Sequence, residues 1–159
     1  MKKNHIKEII FASIFMCMCL ISCGNKSSSS SDANTMGTKL AAVFKKEITK
    51  ETDIVKVADA IAASSACDLE CVVSEIEEGY LAGFSSDITG FNKGVTIMPL
   101  IGSIPFVAYI FEVNNPEEFK SVLLDSADPR WNICTQADET VCDISGKYVF
   151  FTMCPGNDE

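Results

Sequence analysis

The stretch between Val95 and Phe111 limits what this chain can fold into, because its 17 residues include no charged side chain. A helix that crosses a bilayer needs roughly 20 apolar residues, so the stretch is short for a membrane span. Three residues within it would also break a helix, namely Pro99, Gly102 and Pro105. We therefore predict two buried strands, at 95–100 and 104–113.

The second predicted strand is apolar on both of its faces. Its large side chains alternate, with Phe106, Ala108 and Ile110 on one face and Val107, Tyr109 and Phe111 on the other. A strand of this kind belongs in the middle of a covered sheet.

Two amphipathic patterns predict helices ahead of these strands. Thr38 is placed to cap the first helix, which runs to about Ile48. The second begins near Thr52, and its apolar residues recur at i, i+3, i+4 and i+7 as Ile54, Val57, Ala58 and Ile61. Residues 68–83 fit both helix and strand patterns, and we favour a strand because β-branched residues and Gly79 lie among them.

A third helix has a strong start signal. Asn115 is the expected N-cap, Pro116 suits the first helical position, and Glu118 is placed to complete a capping box. This helix should run to about Ser126.

The last part of the chain predicts a β-hairpin. Strand patterns at 140–144 and 147–153 flank Ser145 and Gly146, which suit a two-residue turn. The order of elements is then helix, helix, strands, helix, hairpin. It favours an α+β fold, a small single domain whose helices pack on one face of a mainly antiparallel sheet.

The first 22 residues have the layout of an export signal. A positive segment, Met1–Lys7, precedes an uncharged apolar run of 13 residues, Ile9–Ile21. The run ends in Leu20-Ile21-Ser22-Cys23, which resembles the lipobox of bacterial lipoproteins. The resemblance implies cleavage before Cys23, lipid attachment to its thiol, and anchoring on the extracytoplasmic face of a membrane. An ordinary cleaved signal and an uncleaved anchor are the alternatives.

Residues 23–35 then form a lipidated cysteine followed by a flexible serine-rich linker, and 36–159 form the folded domain. Removal of residues 1–22 takes away three lysines and one glutamate, which leaves 10 basic and 21 acidic residues and a net charge of −11. Such a surface is repelled by phosphate backbones and anionic headgroups. We therefore expect no nucleic-acid partner, and the membrane contact should come through the lipid on Cys23.

The sequence contains few of the residues and motifs that catalysis requires. His5 is the only histidine, and it lies in the predicted signal, so the mature chain lacks histidine-based acid, base, nucleophile or metal chemistry. Phosphate-loop, nucleophile-elbow and calcium-loop patterns are also absent from the sequence. We predict no catalytic residue, no metal site and no cofactor.

Five cysteines remain in the mature domain, and in an exported protein they indicate disulfides. Cys134 and Cys142 flank a short polar loop, and a bridge between them would stabilise the fold by roughly 2–3 kcal/mol. Cys67 and Cys71 are close enough to bridge on a helix but too far apart along an extended strand. A thiolate-metal site and a redox-active pair are alternatives, although the spacings match neither pattern.

Two residues of the loop after the third helix are candidates for ligand contact. Trp131 offers a stacking surface and Arg130 a fork of hydrogen-bond donors, although a lone tryptophan here more often plugs the end of a core. The acidic residues could pair as an acid and a base or hold calcium, but surface carboxylates explain them better; they are Glu70, Glu75, Glu77, Glu78, Asp138, Glu139 and Asp143.

Four segments resemble a group of clostridial-type lipoproteins of unknown function: GYLAGF (79–84), MPLIGSIPFVAYIFEV (98–113), ADPRWNICTQADE (127–139) and YVFFTM (148–153). The resemblance covers most of the mature domain and implies no mechanism. We expect a non-catalytic binding or accessory domain of the cell envelope, whose partner is another envelope protein or an extracellular ligand. A thiol- or carboxylate-based enzyme or redox protein and a thiolate-metal protein are the alternatives.

Overall fold

The computed structural model describes residues 34–156, which belong to one compact unit. The predicted signal, Cys23 and most of the predicted linker lie outside the described residues. No helix within 34–156 is long and apolar enough to span a bilayer. The elements in chain order are α1 (Met36–Glu47), α2 (Ile54–Ala62), β1 (Cys71–Ile76), β2 (Lys93–Pro99), β3 (Val107–Glu112), α3 (Pro116–Ser126), β4 (Glu139–Ser145) and β5 (Tyr148–Cys154).

All five strands form one antiparallel sheet in the order β1-β2-β3-β5-β4. β3 is therefore the central strand, as its two apolar faces predict. Tyr109 of β3 pairs with Thr96 of β2 on one side and with Phe151 of β5 on the other. The α+β class, the single domain and the C-terminal hairpin are confirmed.

The three helices divide between the two faces of the sheet. The α1/α2 face is buried by Leu40 and Phe44 of α1 and by Val57 and Ile61 of α2. The opposite face, which we call the α3 face, is covered by α3 and by residues 77–92. The sequence prediction placed all helices on one face. The third lies opposite because β3 and β5 are apolar on both faces and each face must be covered.

Two of the helix starts differ from the prediction in detail. Thr35, rather than Thr38, caps α1, since its hydroxyl accepts the backbone N–H of Thr38 at 3.3 Å. α3 begins after Asn115 as predicted, but the Asn115 side chain makes no capping bond to the backbone. Its Nδ2 instead donates to Oε2 of Glu118 at 3.4 Å.

The hairpin turn lies one residue later than predicted. Ser145 pairs with Tyr148, so the two turn residues are Gly146 and Lys147. Gly146 has a φ of 60°, in the left-handed region that glycine tolerates best.

Candidate functional site

Large apolar side chains remain exposed where β1 begins and β2 ends. Val72 of β1 and Met98 of β2 are register partners, and 48% and 37% of their surfaces are exposed. Their neighbours Val73 and Ile97 pack on the α1/α2 face, so alternation turns Val72 and Met98 to the α3 face. The α3 face is thus left partly uncovered over β1 and β2.

Two loops extend this exposed region beyond the strands. Leu100 and Ile101 follow β2 and are each 62% exposed, while Ile133 lies in the loop before β4 and is fully exposed. The loops are joined because the Asn132 side chain donates to the Gly102 carbonyl at 2.8 Å. A second bond of 2.8 Å runs from the Thr135 hydroxyl to the Ser103 carbonyl. We call Val72, Met98, Leu100, Ile101 and Ile133 the apolar surface.

The edge beside this surface is acidic. β1 is the last strand of the sheet, so one side of its backbone pairs with β2 and the other has no strand beside it. Lys93 is the nearby cation, and it lies 3.5 Å from Glu75 and 3.6 Å from Asp53. Three further carboxylates around β1 are exposed, those of Glu70, Glu77 and Glu78. Acidic side chains at an edge discourage pairing between copies of the same strand.

The loop that carries Ile133 also carries the two predicted ligand-contact residues. Arg130 is exposed, and its Nε donates to Oε1 of Gln136 at 3.0 Å. Trp131 is half-buried and packs against the core of the α3 face. The indole therefore supports the loop from beneath, while the guanidinium stays at the surface.

All five cysteines of the described chain have free thiols, so the predicted Cys134–Cys142 bridge is not formed. Cys134 is exposed in the loop, whereas Cys142 lies within β4 and packs against the core of the α3 face. Burial raises the pKa of the Cys142 thiol to about 12. The short separation in sequence indicated the length of the loop but not the direction of the Cys142 side chain.

The structure instead brings Cys67 and Cys71 together. Their sulfur atoms are 3.7 Å apart. Cys67 lies in the turn after α2, and its N–H donates to the Ser64 carbonyl at 3.1 Å. The sequence prediction considered only a continuous helix or a continuous strand between the two cysteines. The actual path is a turn that leads into a strand, which the pattern of Asp68, Leu69 and Glu70 did not reveal.

A polar cluster joins the start of α1 to the start of β4. The Glu139 carboxylate accepts the Thr35 hydroxyl, the Gly37 N–H at 2.9 Å and the Cys154 thiol at 3.4 Å. Burial, and then the nearby Glu139, raise the pKa of the Cys154 thiol well above its usual range. Since the carboxylate accepts the free N–H of the first turn of α1, it acts as part of the helix cap.

The remaining acidic residues do not gather into a site. Asp143 pairs with Lys45 at 2.8 Å, and Asp138 accepts the Gly156 N–H at 3.0 Å. Within residues 34–156 no group of three or more His, Cys, Asp or Glu side chains is arranged to hold a metal ion. The apolar surface is the feature that stands out on the folded domain.

The chain matches no protein-family model, no curated protein and no solved structure.

Proposed function

We propose that this protein is a lipid-anchored binding domain of the cell envelope, which holds a protein partner through the apolar surface beside β1. The observation that carries the proposal is the exposure of Val72, Met98, Leu100, Ile101 and Ile133, which lie on paired strands and joined loops, whereas Val122 and Leu124 are exposed on α3 and Tyr80 follows β1. Grouped apolar side chains on a soluble surface are typical of sites that contact another protein.

The geometry of the apolar surface supports a protein partner. Val72 and Met98 lie on two paired strands, and the loops above them are joined by hydrogen bonds. A surface held in this way can bind without first becoming ordered, which lowers the entropic cost of association. The unpaired side of β1 also offers backbone donors and acceptors to an added strand.

The charges favour a basic or neutral partner. The end of β1 and the residues after it carry three acidic side chains, those of Glu75, Glu77 and Glu78. Within the described chain, Lys93 is the cation that forms an ion pair with this group, through Glu75. A partner with lysine or arginine near an apolar segment would therefore be guided towards this edge.

The anchor is tested by mass spectrometry of the protein from its own type of host. We expect the N-terminal peptide to begin at Cys23 and to carry the mass of an attached diacylglyceryl group. Cys23→Ala should leave an unlipidated chain that separates from the membrane fraction. An N-terminal peptide that begins at another residue and has no lipid would contradict the anchor.

The apolar surface is tested by placing a charge on it. The lipoprotein is solubilised in mild detergent and its native size is measured for the wild type, for Leu100→Asp with Ile133→Asp, and for Val122→Asp. Val122 is an exposed apolar residue of α3 and serves as the matched control. We expect a complex for the wild type and Val122→Asp, and the single chain for the double variant. A single chain in all three, or equal loss in both variants, would contradict the proposal.

A further inference from the structure

We propose that Cys67 and Cys71 are the disulfide-forming pair of this domain, and that they close into an intramolecular bond when the chain meets a disulfide oxidant. The sulfur atoms are already 3.7 Å apart. A disulfide bond measures about 2.0 Å, so the atoms must approach by about 1.7 Å. The proposal does not depend on the function of the apolar surface.

The surroundings of the pair favour closure over any other pairing. Cys67 is buried in the core of the α1/α2 face, and Cys71 packs against that core. Apart from its partner, the Cys67 sulfur contacts a polar group only at the Leu69 carbonyl, 3.7 Å away. Oxidation therefore removes no strong hydrogen bond, and it places an apolar bond in an apolar site.

The other three cysteines lack such a partner in the described chain. Cys134 is exposed, Cys142 packs on the opposite face of the sheet, and the Cys154 thiol is held by Glu139. Because the sheet separates Cys142 from the α1/α2 face, it cannot reach Cys67 without unfolding. Cys154 belongs to the core of the same face as the pair, and it differs from the pair in its hydrogen bond to Glu139 and in having no cysteine sulfur hydrogen-bonded to it in the described chain.

The chemistry of closure is thiol–disulfide exchange. A proton leaves the Cys71 thiol, which is the more exposed of the two, and the thiolate attacks an external disulfide to form a mixed disulfide and release one thiol. The Cys67 thiolate then attacks the Cys71 sulfur and releases the second thiol. Two protein thiols are oxidised, and one external disulfide is reduced to two thiols.

The electrostatics suit a bond that forms once and persists. Burial, and then the neighbouring Cys67, raise the pKa of the Cys71 thiol to about 12. A thiol with a raised pKa supplies little of the thiolate that exchange requires at neutral pH. Such a pair exchanges slowly, unlike the low-pKa cysteines of thiol oxidoreductases, and its role is to brace the domain.

The bond would join the turn after α2 to the first residue of β1. β1 is an edge strand held by β2 on one side only, so its first residue is where it would fray. A covalent link at Cys71 fixes that end of the strand. Closing the small loop also lowers the entropy of the unfolded chain.

The test uses the full chain, reduced and then incubated with excess glutathione disulfide before free thiols are alkylated. Trypsin releases residues 57–93, which contain Cys67 and Cys71 and no other cysteine. We expect this peptide to carry no alkyl group and no glutathione, and to be two hydrogens lighter than the dithiol form. A glutamate-specific protease that cuts after Glu70 should then leave two pieces joined by the bond.

Variants separate the pair from the other thiols. Cys134→Ser should leave the closed peptide unchanged, whereas Cys67→Ser should keep a single glutathione adduct on Cys71. Reduction should lower the Tm of the closed wild type by roughly 5 °C and leave that of Cys67→Ser unchanged. Two alkyl groups on the wild-type peptide, or a persistent glutathione adduct on it, would overturn the proposal even if a variant fails to fold.

Discussion

The two edge strands of the sheet are protected in different ways. β4 is covered by α1, through the bonds of Glu139 to Thr35 and Gly37 and the ion pair of Lys45 with Asp143. β1 has acidic residues along its edge and exposed apolar side chains on one face. Edge strands are covered, charged or paired with a partner. Within residues 34–156, α2 packs on β1 as α1 packs on β4, but on the opposite face α3 contacts β4 and not β1.

This arrangement places the proposed membrane tether and the proposed partner-binding strand at opposite edges of the sheet. Thr35 is where the described chain enters α1, and it is bonded to Glu139 of β4. β1 is four strand spacings away, which is about 19 Å at the usual separation. A tether that enters beside β4 would leave the β1 edge free to meet a partner.

The largest expected effect comes from emptying the core beneath α1. Phe44 is fully buried and stacks on Phe150 of β5, with ring centroids 5.3 Å apart. Phe44→Ala should lower the free energy of unfolding by about 3–5 kcal/mol, because it leaves a cavity where α1 covers the sheet. Val72→Ala, at the open edge, should cost less than about 1 kcal/mol. Denaturant titration of both variants measures the difference, and equal losses would break the comparison.

Removing the Glu139 carboxylate should have the next largest effect. Glu139→Ala leaves the Gly37 N–H and the Cys154 thiol without their acceptor, and it should cost about 2 kcal/mol. Glu75→Ala is the matched change at the other edge. Its exposed pair with Lys93 should be worth less than about 0.5 kcal/mol. Thermal unfolding of the two variants provides the test. A larger loss of stability for Glu75→Ala than for Glu139→Ala would contradict the view that β4 is the better-covered edge strand.

A smaller effect is expected from a methyl group placed between α1 and β4. The Cβ of Gly37→Ala would lie 2.7 Å from Oε2 of Glu139 and 2.9 Å from Cγ2 of Val141. Relieving these contacts should cost about 1–2 kcal/mol. A Cβ at Gly102 would meet nothing within 4 Å, so Gly102→Ala should stay within about 0.5 kcal/mol of the wild type. Urea midpoints distinguish the two, and a neutral Gly37→Ala would mean that α1 is not closely seated on β4.

The ion pair between α1 and β4 should contribute least. Lys45 and Asp143 are 2.8 Å apart and both reach solvent. Lys45→Ala should therefore cost less than about 1 kcal/mol at low salt and nothing measurable in 1 M salt. Unfolding curves at both ionic strengths check this, and a cost that persists in high salt would assign Lys45 a packing role instead.

Sequence patterns predicted the parts of the fold that depend on short segments. The alternation from Phe106 to Phe111 indicated the central strand, and Asn115 with Pro116 indicated the start of α3. They did not predict which face α3 covers, because an amphipathic helix shows its apolar stripe but not the surface that receives it.

The features of the candidate site depend on contacts between distant segments, and the sequence did not reveal them. Thr35 and Glu139 are 104 residues apart, and each taken alone is an ordinary cap residue or surface carboxylate. The exposure of Ile133 follows from how its loop attaches to the loop after β2. The approach of Cys67 to Cys71 required a turn that no residue in the segment signals strongly.

Crosslinking from the two edges tests the central claim most directly. A photoreactive residue is placed at Val72 of β1 or at Thr140 of β4, both of which are exposed on edge strands, and intact cells are irradiated. The account predicts one discrete adduct from position 72, lost when Leu100→Asp and Ile133→Asp are added, and none from position 140. Adducts of equal yield from both positions, or an adduct from position 140 alone, would contradict it.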